Sequence, residues 1–191
     1  MDELVGLFLL AQREFGARVE EIGADQWRSP TVDTEWDVGN LVDHVLEENR
    51  WVAPLVSGQP LAQAEEAVAA AAAHENDRKT AWANAAASAA QAFSAPGALD
   101  ATVDLSRGST PVRSYITEMI FDHTIHAWDL GRAIGSERIL PAELVTVVYT
   151  ELEPLGDLSV VFGGMFAPPV SISDDAPLVD KLIALTGRDP R

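Results

Sequence analysis

The chain has 191 residues, 47% hydrophobic and 23% charged, a composition that is globular and long enough for one buried core, so a single domain over residues 1–191 is expected. A formal net charge of −17 sets up a field that repels phosphate backbones and anionic lipid, which argues against nucleic-acid and membrane partners. The absence of cysteine excludes disulfides, Cys-ligated zinc and Cys nucleophiles, so a metal must be held by His and carboxylate and a reactive thiol must come from a small molecule.

The N-terminus "MDELVGLFLLAQREFGARVEE" carries acids in place of the basic flank of a signal peptide, and no run of about 18 apolar residues occurs, so a soluble, cytoplasmic protein is expected. Leu4 to Ile22 predicts a first helix, with Leu4, Phe8, Ala11, Phe15 and Val19 on one stripe. "RSPTVDTE" reads as a turn in which Thr34 with Asp37 fits a capping box for a second helix over Trp36–Val56. Val38, Leu41, Val45, Val52 and Leu55 face inward from that helix. The Ala-rich stretch Leu61 to Ala95 predicts a long third helix, with "HENDRKT" as a point of interruption and His74 as a solvated surface residue.

"TVDLSRGSTPV" predicts a short hairpin or an ordered loop. Helix four takes Thr110 as cap and Pro111 as its first helical residue, and ends near Ala133 ahead of Gly135. A fifth helix spans Pro141 to Leu155, "VVFGGMFAPPVSIS" reads as loop or extended, and "DDAPLVDKLIALTG" as a terminal helix closed by Gly187. The expected fold class is therefore all-α: an up-and-down four-helix bundle with short accessory helices and a small loop or hairpin before helix four.

The chemistry concentrates in "FDHTIHAWDL" of helix four. At about 100° per residue, Tyr115, Met119, Asp122, His126 and Leu130 share a face, and His123 lies on its other edge. Pairs at i and i+4 or i and i+3 can reach one ion without distorting the helix, so Asp122 with His126 and His123 with His126 are both open as ligand pairs. Helix two offers His44 as a third donor, at the edge of the stripe shared with Leu41, Trp51 and Leu55. Glu48, one turn later, suits a fourth ligand, a proton acceptor or a brace for His44. Asp129 suits a partner for a ring N–H or for Arg132. Inward histidines of this kind are also common as hydrogen-bonded core residues, which is the alternative reading of each.

"TVDTEWDVGNLVDHVLEENRWVAPLVSG", where His44 follows Trp36 by eight residues, resembles the second-helix segment of the mycothiol-dependent maleylpyruvate isomerase N-terminal family, within the DinB-like bundles. "YITEMIFDHTIHAWDLGRAIG" is similar to that family's other hallmark, a carboxylate four residues before a His and then "WDLxRAxG". "DDAPLVDKLIALTGRDP" also resembles the tail of small stand-alone bacterial members described as metal-binding proteins. The resemblance implies a DinB-like bundle holding a divalent metal, zinc above all with nickel as alternative, on His44, Asp122 and His126. The isomerase pattern has Glu where Asp122 stands, and the shorter side chain keeps His123 as the alternate ligand.

Three protein ligands leave coordination positions open, the catalytic pattern for zinc. The resemblance implies that mycothiol supplies the sulfur and that an electrophilic small molecule is the other substrate. Isomerases of the family carry a further C-terminal domain, whereas about 35 residues follow helix five here, so a transferase-like or isomerase-like enzyme is expected. A hydrolase with Glu48 as general base and a non-catalytic metal- or ligand-binding module are the alternatives. Bundles of this kind also pair through their helices, which makes a homodimer plausible.

Overall fold

The computed structural model describes residues 2–33, 35–73 and 77–191. The chain, read from the sequence as one domain, divides into two compact units, Met1–Ser136 and Glu137–Arg191. None of the described helices is long and apolar enough to cross a membrane.

In the first unit α1 (Glu3–Glu21) starts where the Asp2 carboxylate accepts from the Leu4 amide at 3.0 Å. Phe8, Ala11, Phe15 and Val19 of its stripe are buried, while Leu4 is half-buried. The next helix, α2 (Val38–Val56), begins two residues later than its sequence pattern suggests. Its capping box is made by Asp37 and Asn40: the Asp37 carboxylate accepts from the Asn40 amide at 2.8 Å, and the Asn40 side-chain oxygen accepts from the Asp37 amide at 3.2 Å. Thr34, expected in that role, lies outside the described residues, and Trp36 precedes the helix in a segment bridged between Pro30 and Asp37.

The long third helix is two helices, α3 (Leu61–Ala73) and α4 (Arg78–Phe93). The Asp77 carboxylate starts the second by accepting from the Thr80 amide at 2.8 Å and its hydroxyl at 2.7 Å, close to the interruption sensed at "HENDRKT". His74 lies outside the described residues. A hairpin follows, β1 (Thr102–Leu105) against β2 (Gly108–Pro111), antiparallel with Leu105 opposite Gly108. Thr110 is thus a strand residue paired with Val103 rather than a helix cap, and Pro111 is the N-cap of α5 (Val112–Ile134). Gly135 ends α5 at φ 72°, a left-handed backbone that glycine adopts without a Cβ penalty.

α1 packs against α5 and α4, and α2 against α4 and α5, which makes a ring of four helices with α3 laid on the outside of α2. α1 and α5 run the same way, since Arg113 meets Asp2 at 2.8 Å at one end and Ser136 meets Glu21 at 2.6 Å at the other. α4 runs opposite, with Lys79 on the carbonyl of Glu20 and Phe93 edge-on to Phe8 at 4.9 Å. Including α3, the chain alternates direction from α1 to α5, the up-and-down order expected.

A chain of amides crosses the core of this ring. Gln12 donates to the Asn49 side-chain oxygen at 2.8 Å, and the Asn49 amide donates to the Val45 carbonyl and to His123 Nε2, each at 2.8 Å. His123 completes it by donating from Nδ1 to the Met119 carbonyl at 2.7 Å. Buried amides are tolerated only when paired, and here α1, α2 and α5 pair one another.

In the second unit α6 (Ala142–Leu152) runs into a 3₁₀ turn over Glu153–Leu155. One turn of helix, α7 (Leu158–Val161), enters the stretch expected to be loop, and α8 (Leu178–Leu185) is followed by Gly187 at φ 81°.

Asn49→Ala removes the shared partner of Gln12 and His123 and opens a small cavity. Urea denaturation should show a loss of roughly 2–4 kcal/mol. A loss under about 0.5 kcal/mol would mean the amide chain does not hold the three helices together.

Candidate metal centre

Of the five residues offered by the sequence as donors, His44, Glu48, Asp122, His123 and His126, the structure brings three together and leaves Glu48 and His123 outside the group. One ligand atom each from His44, Asp122 and His126 lies within 4.8 Å of the others. The Asp122 Oδ1 atom is the hub, 3.4 Å from His44 Nε2 and 3.3 Å from His126 Nε2. Donors held about 2.0–2.1 Å from a tetrahedral ion are themselves about 3.3–3.4 Å apart, so both spacings suit such an ion. The other carboxylate oxygen, Oδ2, is buried and makes no hydrogen bond. A buried carboxylate oxygen without a partner is costly in a site that holds only protein, and a cation relieves it.

Helical phase explains the sorting. Asp122 and His126, one turn apart on α5, face α2, where His44 stands near the start of the helix. His123, advanced by one residue from Asp122, turns into the core and is fully buried against Phe8, Phe15 and Trp82. Both its ring nitrogens are engaged, by Asn49 and by the Met119 carbonyl, and Nδ1 stands 4.0 Å from Asp122 Oδ2. Burial lowers its pKa to about 4 against the pull of Asp122, so the ring is neutral at neutral pH. The structure therefore does not bring His123, the alternate donor, into the cluster.

Electrostatics follow from the same packing. Burial pulls the Asp122 carboxyl up, but the His126 charge and hydrogen bonds from His126 and His44 outweigh it and hold the group far below the usual carboxylate range. Burial pulls His126 down, yet Asp122, and then Asp129, raise it to about 9. Asp129 Oδ2 accepts from His126 Nδ1 at 2.9 Å, which leaves Nε2 as the nitrogen directed at the cluster.

Two surroundings of the cluster were not legible as such in the sequence. Trp36 lays its ring against both imidazoles, 4.9 Å from His44 and 6.0 Å from His126 between centroids. Its place in the sequence marked a helix start, and only the turn before α2 folds it over the site. Asn49, the partner that occupies His123, sits on the opposite side of α2 from His44 and carried no signal of its own. Glu48 is half-buried one turn beyond His44, its carboxyl pushed up by burial and then by the Asp122 charge, with His44 opposing.

Several known proteins are similar to this chain in sequence or in fold. A family model for the mycothiol maleylpyruvate isomerase N-terminal domain matches residues 8–131. Two uncharacterized proteins of Mycobacterium tuberculosis, from strains H37Rv and CDC 1551, are each 32% identical over 192 residues, covering 95% of this chain and 95% of theirs. The crystal structure of the mycothiol-dependent maleylpyruvate isomerase matches 97% of this chain and 88% of that chain at a TM-score of 0.66. At 16% identity this is a likeness of fold, and it takes in most of the second unit as well as the bundle. The family match over the bundle, together with relatives alike over nearly their whole length, means that the chain belongs to the mycothiol maleylpyruvate isomerase N-terminal domain family, with its DinB-like fold.

Proposed function

We propose that this protein is a divalent-metal-dependent enzyme in which a low-molecular-weight thiol, mycothiol, attacks an electrophilic small molecule in a transferase-type or isomerase-type reaction. The observation that carries the reading is the convergence of His44 and His126 on Oδ1 of Asp122, a carboxylate whose second oxygen is buried without a hydrogen bond. Two imidazoles and a carboxylate suit zinc, with nickel as the alternative. A bound divalent ion supplies the Lewis acidity that keeps a thiol ionised near neutral pH.

The remaining steps belong to the chain's own groups. Asp129 holds His126 in the tautomer that directs Nε2 inward, and Trp36 shields both imidazoles from water on one side. Glu48 is the acceptor for a proton leaving an incoming thiol, its basicity raised by burial and by Asp122. Because the protein has no cysteine, the nucleophilic sulfur has to arrive with a cosubstrate. The same raised carboxyl favours a second reading, hydrolysis with Glu48 as general base toward water.

Elemental analysis after loading with zinc or nickel should find stoichiometric metal in the wild type and little in His44→Ala or His126→Ala. Mycothiol should then bind only to the loaded protein in calorimetry. A wild type that retains no metal would refute the reading, and turnover that ignores added thiol but vanishes in Glu48→Gln would transfer it to hydrolysis.

Protonation gives an independent check. In the metal-free protein the His126 ring is raised to about 9, so near neutral pH it carries a proton that zinc must displace. Apparent zinc affinity in chelator competition should rise by about tenfold per pH unit from neutrality and level off above about 9.

Asp129→Asn keeps the size of the brace but removes its charge. Zinc affinity should fall by about 10- to 100-fold while the circular dichroism spectrum is unchanged. An unaltered affinity would show that Asp129 plays no part in presenting His126.

A further inference from the structure

The two imidazoles of the metal centre are held in different ways. The His126 side chain is 14% exposed and has a directional brace, the Asp129 carboxylate that accepts from Nδ1 at 2.9 Å. The His44 side chain is 31% exposed, and its one polar neighbour is Asp122 Oδ1, 3.4 Å from Nε2. Among the described residues nothing hydrogen-bonds to His44 Nδ1. A ligand imidazole ordinarily gives its second nitrogen to a carboxylate or a carbonyl, and that bond fixes the rotation of the ring. Here α2 sets where His44 stands, and the turn of the ring about its own side-chain bonds has to be limited by something else.

Ring contacts take that place. The indole of Trp36 lies 4.9 Å from the His44 ring between centroids, tilted by 45°, and His126 meets the same ring edge-on at 5.1 Å and 82°. Both separations fall in the range of about 4.5–7 Å in which aromatic rings attract one another. His126 is itself a donor of the cluster, so Trp36 is the neighbour outside the cluster whose ring limits His44. The indole is carried by a turn that closes on its own backbone: the Trp36 amide donates to the Asp33 carbonyl at 3.1 Å, and the Trp36 carbonyl accepts from the Thr31 amide at 3.2 Å and the Thr31 hydroxyl at 3.0 Å. None of these bonds uses the indole, so the turn does not need it to form.

We propose that Trp36 is the positioning residue for His44, stacking against the imidazole so that Nε2 faces Asp122, the role that the hydrogen bond to Asp129 has for His126. This rests on the metal-dependent reading above. A tilted stack is weaker and less directional than a hydrogen bond to a charged group, and it tolerates exchange of one aromatic ring for another.

Zinc affinity is read by chelator competition, and the visible absorption of the cobalt-loaded protein reports the geometry around the ion. Trp36→Leu keeps apolar bulk but removes the aromatic face. It should weaken zinc by roughly three- to tenfold and alter the cobalt spectrum, with the Tm of the metal-free protein unchanged. Trp36→Phe should restore most of both. In a His44→Ala background Trp36→Leu should have no further effect on the residual zinc affinity, whereas Asp129→Asn should still lower it.

Wild-type zinc affinity with an unaltered cobalt spectrum in Trp36→Leu overturns the proposal. An equal loss in the His44→Ala background makes the indole a general cover and also overturns it. A lower Tm of metal-free Trp36→Leu, in step with the weaker binding, marks a packing residue and has the same force. Failure of the wild type to load zinc overturns the metal-dependent reading itself and is seen in the metal content before any variant is compared.

Discussion

The rotation of α5 about its own axis is the constraint on which the rest of the molecule depends. A step of one residue turns a helix by about 100°, so the position that sends His123 into the core also sends Asp122 and His126 toward α2. His123 fixes that rotation more firmly than an aliphatic residue would. Its ring is gripped at both nitrogens, by Asn49 from α2 and by the carbonyl one turn back on α5, and walled by the rings of Phe8, Phe15 and Trp82. Slipping α5 by even a fraction of a turn would break directional bonds and expose a costly imidazole, so the orientation of Asp122 is set from the far side of its own helix.

The polar core and the cluster of His44, Asp122 and His126 are two ends of one arrangement. Gln12, Asn49 and His123 tie α1, α2 and α5 across the interior, and His44, Asp122 and His126 face one another where α2 and α5 meet near the surface. A site that joins two helices has donors only as precise as the packing between them. Here that packing is specified by directional hydrogen bonds as well as by the apolar residues Val45, Val52, Ile116 and Ile120.

Much of this was legible in the residues alone. The periodicities of α1 and α2 marked the faces that are buried, and the spacing of Asp122 and His126 marked a shared face of α5. What single-helix reasoning left open was which histidine the core would claim, because His123 and His126 are each within a turn of a partner and nothing in α5 ranks them. Asn49 decides it, and Asn49 is a polar residue in a helix whose partner lies 74 residues away in the chain. The other differences have the same origin. Thr110 is an acceptable cap until Val103 pairs with it across the hairpin, and the Ala-rich stretch reads as one helix until Asp77 starts a second. Trp36 was visible as a helix-start residue, but its seat over two imidazoles depends on a turn whose shape is set by the bridge between Pro30 and Asp37.

That placement of Trp36 has a consequence for how such a protein can change. The donors stand on helices whose rotation the core enforces, so a substitution that moves them disturbs the entire bundle. The indole that covers them stands outside those helices, on the segment that leads into α2. Anchoring and enclosure are thus carried by separate parts of the chain, one rigid and one peripheral. A lineage built on this plan can remodel what covers the cluster while the frame that holds His44, Asp122 and His126 stays as it is.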